Sequence, residues 1–339
     1  MKHLQNTLYI TTQDTYLSKE GECVVIHHDS KVKGKIPVHT LDGLVLFGQI
    51  SCSPFLLGHC AKHGVTVSWL TEYGRFMATM HGPVSGNVLL RKEQYKKSED
   101  LEFAATLARS FLIGKLHNSR TVLRRTARDR PDPSLDAAAD HLTFALECMK
   151  KPQPLDMVRG IEGEAASVYF GVFDRLLTSG DPAFAFHGRN RRPPLDAVNC
   201  LLSFLYTLLT HDVRSALESV GLDPAVGFLH RDRPGRPSLA LDMIEEFRPY
   251  IADRLALTLI NKGQVTGKGF VQQKSGAVVM TEAARKEVLF AWQQRKAEEV
   301  QHPFLQEKMR VGLLWHAQAR LLARHLRGDL DGYPPVVIR

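Results

Sequence analysis

Glu162, His230, Asp242 and Glu245 are the residues whose types and spacing could do chemistry. In the run Arg159-Gly160-Ile161-Glu162-Gly163-Glu164-Ala165-Ala166-Ser167-Val168-Tyr169-Phe170, Glu162 falls on one helical face with Ala166, Tyr169 and Phe173. An acid on the inward stripe of a helix must be neutral, paired or bound to a cation. Gly160 and Gly163 beside it each cost a helix about 1 kcal/mol relative to alanine, which predicts close approach by another backbone or a ligand. An acid paired with an arginine at a domain boundary is the alternative.

Further along, Gly227-Phe228-Leu229-His230 leads through a Pro/Arg-rich loop into Ser238–Pro249. Asp242 and Glu245 are three apart and share a helical face, whereas Glu246 points elsewhere. Like charges at that spacing repel, so the pair asks for a cation between or beside them. One imidazole and two carboxylates, joined by Glu162, form a mixed N/O donor set suited to Mn²⁺ or Mg²⁺ better than to thiophilic metals. His230 taken alone reads first as a capping or core histidine, a reading that weakens beside Asp242 and Glu245. No phosphate-cradling glycine loop, HExxH, GxSxG or zinc-finger spacing occurs.

These residues need elements to position them, and the hydrophobic period changes along the chain. Leu8–Thr12, Cys23–His27, Gly43–Phe47, Val65–Leu70 and Phe76–Met80 are short, rich in β-branched or aromatic residues and bounded by turn signals, which predicts strands. Glu20-Gly21-Glu22 and Glu72-Tyr73-Gly74 read as turns, and Ser53-Pro54 as the capped start of a short helix that Gly64 stops. From about residue 99 the period is 3.6, with Leu101, Ala104, Ala105, Ala108, Phe111, Leu112 and Leu116 on one face. Further helices are predicted through Ala138–Leu146 and at about 156–178, 195–220, 240–257, 281–299 and 303–327, with a hairpin near 269–280. The helix over 195–220 is apolar nearly all round and should be central. The chain thus reads as an α+β protein of two domains: a small β-rich domain over 1–90, a linker over 91–98 and a larger helical domain over 99–339.

The 339 residues are 24% charged, 44% apolar and 8% aromatic, which excludes disorder and supports a core needing no staples. No run of about 18 uncharged apolar residues exists, so no membrane span is expected, and the first six residues lack the apolar region of a signal peptide. Five cysteines without CxxC spacing read as reduced thiols of a cytoplasmic protein. The net charge of +8 divides as +4 in residues 1–98 and +4 in the remainder, so an anion site must be built locally. Candidate clusters are Arg124-Arg125 with Arg128 and Arg130, His187–Arg192, and His230-Arg231 with Arg233 and Arg236. A solvated loop is the plain reading of each.

The Arg159–Phe170 run, the Arg191-Arg192-Pro193-Pro194-Leu195-Asp196-Ala197-Val198-Asn199 segment with its leucine-rich continuation, and Gly227–His230 through Asp242–Pro249 together resemble the CRISPR-associated adaptation integrase family. Lys35–His39 and Gly43–Gly48 resemble its sheet domain, and the match runs in order from about residue 4 to 327. The tail Asp329–Pro335 carries no resemblance. The family implies an N-terminal β-domain that dimerises and an all-helical catalytic domain. It implies that Glu162, His230 and Glu245 ligate Mn²⁺ or Mg²⁺, with Asp242 a further acid beside the metal; many members carry aspartate at the position of Glu245. The implied reaction is attack by the 3′-hydroxyl of a short DNA duplex on a phosphodiester at the edge of a CRISPR repeat, adding a spacer in antiviral defence. Implied partners are double-stranded DNA (protospacer and repeat), a second copy of the chain, and a small dimeric partner protein, two dimers flanking it as a hetero-hexamer. Arg192, Arg231, Arg233, Arg236 and Arg248 are assigned to DNA phosphates. Two other readings stay open: a metal-dependent nuclease acting on branched or single-stranded DNA in repair, and a non-catalytic helical nucleic-acid binder.

Overall fold

Strands form where short β-branched and aromatic runs lie between turns, and they build two sheets within Met1–Ser85. The computed structural model describes residues 7–41, 43–72, 76–80, 82 and 88–338. The strands are β1 (Thr7–Ile10), β2 (Tyr16–Glu20), β3 (Cys23–His28), β4 (Lys31–Pro37), β5 (Gly43–Phe47), β6 (Ser51–Cys52), β7 (Thr66–Leu70) and β8 (Phe76–Met80), with helix α1 (Pro54–Lys62) before β7. One sheet has the order β1-β5-β7-β8, parallel except for β8; the other has the order β4-β3-β2-β6, with β2, β3 and β4 antiparallel. Leu17, Val24, Leu44, Leu46, Leu56, Cys60 and Val67 share the core. The Ser53 hydroxyl accepts from the Leu56 N–H and caps α1, as its sequence signals. Gly21, with φ +57°, turns β2 into β3. Strand β2 itself escapes the sequence pattern because Leu17 is its one core residue. The turn expected at Tyr73-Gly74 lies outside the described residues.

A second unit, Gly86–Arg339, is mostly helical. It runs α2 (Val88–Glu99), α3 (Leu101–Asp129), α4 (Pro133–Met149), α5 (Leu155–Gly171), α6 (Ala197–Ser219), α7 (Ser238–Ile244), α8 (Arg254–Asn261), α9 (Glu282–Ala297) and α10 (Leu314–Arg327). The linker expected over 91–98 is instead helix α2. Its sequence is polar, and hydrogen bonds hold it in place of an apolar stripe: buried Gln94 donates to the Asp223 and Val226 carbonyls and accepts from the Asp223 N–H.

Helix α6 is deeply buried, as its apolar girdle requires. The single helix expected over 240–257 breaks after Ile244 and reopens as a π-turn over Arg248–Asp253, where Pro249 has no N–H to continue the ladder. The unit is not all helical. Strands β9 (Phe270–Gln272) and β10 (Val278–Met280) form the expected hairpin. A second hairpin, β11 (Glu299–Gln301) with β12 (Lys308–Arg310), takes up the start of the stretch expected as helix 303–327. There the His302 ring accepts from the Phe304 and Leu305 N–H groups and fixes a loop.

The C-terminal tail is clasped by Glu246. Tyr333 donates its hydroxyl to the carboxylate, the Val336 N–H donates at 2.7 Å, and Gln318 donates at 3.3 Å. Asn118 binds the Glu246 and Val336 carbonyls and accepts from the Ile338 N–H. Burial pushes the Glu246 carboxyl up to about 7, against the opposing pull of the Tyr333, Val336 and Gln318 donors. A carboxyl raised above its unfolded value of about 4.3 contributes stability that is complete below that pH and lost as pH rises through about 7. Denaturation of the Glu246→Gln variant should therefore show a flatter stability profile between pH 5 and 8 than the parent chain. Glu246→Ala, which leaves the Tyr333 hydroxyl and the Val336 N–H without their acceptor, should cost about 1–3 kcal/mol. Parallel pH profiles for parent and Gln variant would contradict this assignment.

Candidate metal and nucleic-acid site

A lysine stands on the buried stripe of α3. Lys115 lies four residues after Phe111 and three after Leu112, both fully buried. Its ammonium is paired with Glu162 on α5 and, at 2.8 Å, with Glu245 Oε2 just past the end of α7. Arg248 Nη1 donates to Glu245 Oε1 at 2.5 Å. Burial alone would raise the Glu245 carboxyl, but Arg248 and Lys115, with His230 nearby, hold it down at about 2. Burial likewise works against the Lys115 charge, and Glu245 and Glu162 outweigh it, so the ammonium sits above its usual range. Both groups are charged at neutral pH. Glu245 Oε2 is buried and meets Lys115 as an ion pair outside hydrogen-bond geometry.

Asp242 does something different. Its carboxylate accepts the backbone N–H groups of Phe228 (2.6 Å), Leu229 (2.9 Å) and His230 (2.9 Å), and the His230 ring Nδ1 at 2.6 Å. With Nδ1 committed to Asp242, the ring presents Nε2 as its free donor atom. Gly227 allows this turn, since a Cβ there would come within 2.8 Å of the Ser238 Cβ and 2.9 Å of Asp242 Oδ2. Arg159 Nε donates to the Leu229 carbonyl and ties the segment to α5. The two acids are thus satisfied separately: backbone donors and His230 serve Asp242, and the cations Lys115 and Arg248 stand beside Glu245.

Lys115 thus draws Glu162 and Glu245 together, and His230 lies near enough to act on the Glu245 charge. The donor atoms of Glu162, His230 and Glu245 do not all fall within 4.8 Å of one another, and the Lys115 ammonium pairs with both carboxylates. The donor set still fits a divalent ion: two carboxyl groups, that of Glu245 with a buried oxygen lacking a hydrogen bond, and an imidazole of fixed tautomer. The backbone approach expected at Gly160 and Gly163 is not found, since a Cβ at either would meet open space.

A cavity of about 450 Å³ adjoins these groups, lined by Lys115, Glu162, Gly163, Arg189, Tyr206 and Arg248 among others. Asp253 in its wall accepts from Tyr206 at 2.6 Å and Tyr169 at 3.1 Å, and burial raises its carboxyl to about 6. The guanidinium groups of Arg248 and Arg189 lie over the Tyr206 ring, 4.8 and 5.3 Å from its centre. Arg248, expected on DNA, is half-buried and engaged with Glu245 and Tyr206. Arg192, Arg231 and Arg233 are exposed and Arg236 is half-buried. Burial and then the nearby charges of Arg233, Arg192 and Arg191 depress the Arg236 guanidinium, so these arginines crowd together. Arg231 meets Asp156 at 3.4 Å on the surface. Arg189 falls in the His187–Arg192 cluster read from the sequence, whereas Lys115, Tyr206 and Asp253 were not singled out; a lysine at i+4 from Phe111 on an apolar face was the available signal for the first.

Residues 8–294 match the family described as "CRISPR associated protein Cas1". The chain belongs to this family. It is 60% identical to a protein of Chlorobaculum tepidum named CRISPR-associated endonuclease Cas1 1, over 100% of this chain and 99% of that one. Its fold is similar to that of a casposase bound to its integration product, with a TM-score of 0.85, 22% identity and coverage of 99% and 95% of the two chains. It is also similar to a chain of a Cas6-RT-Cas1–Cas2 complex, with a TM-score of 0.82 and 22% identity over 99% of this chain and 36% of that one. The sheet region followed by a mostly helical region agrees with the resemblance seen in the sequence. Among the described residues no helix is long and apolar enough to cross a membrane.

A divalent ion held by Glu162 and Glu245 would have to compete with the Lys115 ammonium for both carboxylates. Lys115→Ala should leave the metal-free chain less stable by about 3 kcal/mol, since half-buried Glu162 loses its cation and buried Glu245 keeps only Arg248. The same variant should gain more in Tm from millimolar Mn²⁺ than the parent does. Thermal melts with Mn²⁺ and with EDTA measure both effects, and an equal metal-induced shift in the two proteins would contradict the competition.

Proposed function

We propose that this Cas1 family member is a metal-dependent DNA integrase that joins short duplexes into a CRISPR array as new spacers. The observation that carries the proposal is the gathering of Glu162 and Glu245 around one cationic position, beside an imidazole whose free nitrogen Asp242 orients. The Chlorobaculum relative named an endonuclease and the likeness to an integration-product complex support the same chemistry.

Glu162, Glu245 and His230 Nε2 would hold Mn²⁺ or Mg²⁺. When bound, such an ion supplies Lewis acidity to a phosphoryl oxygen and offsets the charge that develops there. Asp242 keeps His230 in one tautomer, and Arg248 keeps Glu245 ionised. Arg192, Arg231, Arg233 and Arg236 bind the duplex phosphates. In the joining step the 3′-hydroxyl oxygen bonds to phosphorus, the bond from phosphorus to the outgoing 3′-oxygen breaks, and the hydroxyl proton leaves to solvent while the outgoing oxygen gains one. No covalent protein–DNA intermediate is required. The partners proposed are double-stranded DNA, a second copy of this chain through its sheet unit, and a small Cas2-type protein, in a cytoplasmic hetero-hexamer.

Incubation of full-length protein with a 3′-OH duplex and a supercoiled plasmid carrying a CRISPR repeat should give joined product with Mn²⁺ and none with EDTA. Glu162→Gln and His230→Ala should lower joining by about 100-fold or more while duplex binding is retained. Arg233→Ala should weaken binding and reduce its log–log salt slope by about 1. Cleavage without joining would favour a repair nuclease, and variants that lose binding and fold together would favour a structural role for the acids.

A further inference from the structure

Three side chains outside this site meet in the sheet unit, far along the sequence from the catalytic candidates. His59 and His63 are four apart at the end of α1, with ring centroids 4.4 Å apart, and Glu22 reaches them from the β2–β3 turn. We propose that Glu22, His59 and His63 form a second divalent-metal site, imidazole-rich and suited to Zn²⁺.

His63 Nδ1 contacts the His59 carbonyl oxygen at 3.0 Å. A carbonyl can only accept, so Nδ1 carries the proton and Nε2 carries the lone pair. That Nε2 lies 3.8 Å from Glu22 Oε2. His59 is 8% exposed, and its Nε2 lies 3.3 Å from the same oxygen without a hydrogen-bond partner. One donor atom from each residue falls within 4.8 Å of the other two, the only such grouping of three among the described residues.

A tetrahedral Zn²⁺ with bonds of about 2.0–2.1 Å separates its ligand atoms by about 3.3 Å. The His59–Glu22 separation already matches, and rotation of exposed Glu22 and half-exposed His63 closes the rest. Two imidazoles and one carboxylate select Zn²⁺ over Mg²⁺, whereas two carboxylates and one imidazole at the other site select the harder ions. Glu22 and His63 face solvent, leaving the fourth position to water. A bound ion would pin α1 to the β2–β3 turn and stabilise the sheet unit.

The test uses the full-length chain stripped with EDTA, then dialysed against low micromolar Zn²⁺ or Co²⁺ at pH 7.5. Metal content is measured by mass spectrometry and Co²⁺ geometry by visible absorption. A chain carrying Glu162→Ala and His230→Ala should keep one ion, the intense tetrahedral Co²⁺ bands and the Zn²⁺-induced rise in Tm. Adding His63→Ala to that background should weaken binding about tenfold or more and abolish both signatures. Glu22→Gln, in an exposed turn, should do the same without disturbing the core. The proposal is overturned if the Glu162→Ala/His230→Ala chain takes up no Zn²⁺, or if Glu22→Gln binds it with unchanged affinity and spectrum.

Discussion

One buried ammonium organises the helical unit. Lys115 is charged because two carboxylates face it, and Glu245 is ionised because Lys115 and Arg248 face it. At an effective dielectric of about 20, unit charges 3–4 Å apart interact by roughly 4 kcal/mol or more, enough to outweigh ordinary burial but not to spare any member. Of the three groups that meet here, Lys115 and Glu245 therefore hold their charges through one another. α3, α5 and the break after α7 must meet where they do, since each contributes one of them.

The break after α7 matters as much as the helices. A continuous helix over 240–257 would carry Glu245, Glu246 and Arg248 around one cylinder. Ending α7 at Ile244 and widening the next turn at Pro249 lets adjacent acids serve opposite sides. Glu245 joins Lys115 and Arg248 and is held low, while Glu246 turns to Tyr333, Gln318 and Val336 and is held high. Two neighbouring glutamates thus acquire opposite properties from their surroundings. Asp242, one turn earlier, spends all its acceptors on the His230 segment and acts by positioning the ring.

The parts legible in the sequence were those that one element encodes. α3 and α6 announce themselves by a 3.6 period, α1 by its Ser-Pro start, and β3, β5 and β7 by β-branched runs. Glu162 and the Asp242–Glu245 spacing stood out as acids on apolar faces. What stayed hidden needed two elements at once. Lys115 means nothing until α5 brings Glu162 to it, and α2 reads as a linker until Gln94 finds the carbonyls of Asp223 and Val226. β2 offers one core residue and depends on β3 for the rest. The glycines beside Glu162 pointed to a close neighbour, and the structure gives open space there, with Gly163 on the cavity wall.

The most direct measurement is the anomalous scattering of manganese in crystals of the full-length chain soaked in MnCl₂. The account predicts a manganese peak bounded by the Glu162 and Glu245 carboxylates and His230 Nε2, with the Lys115 ammonium moved off at least one carboxylate. Lys115 still clamped between both acids, with no manganese beside His230 at saturating concentration, would contradict it.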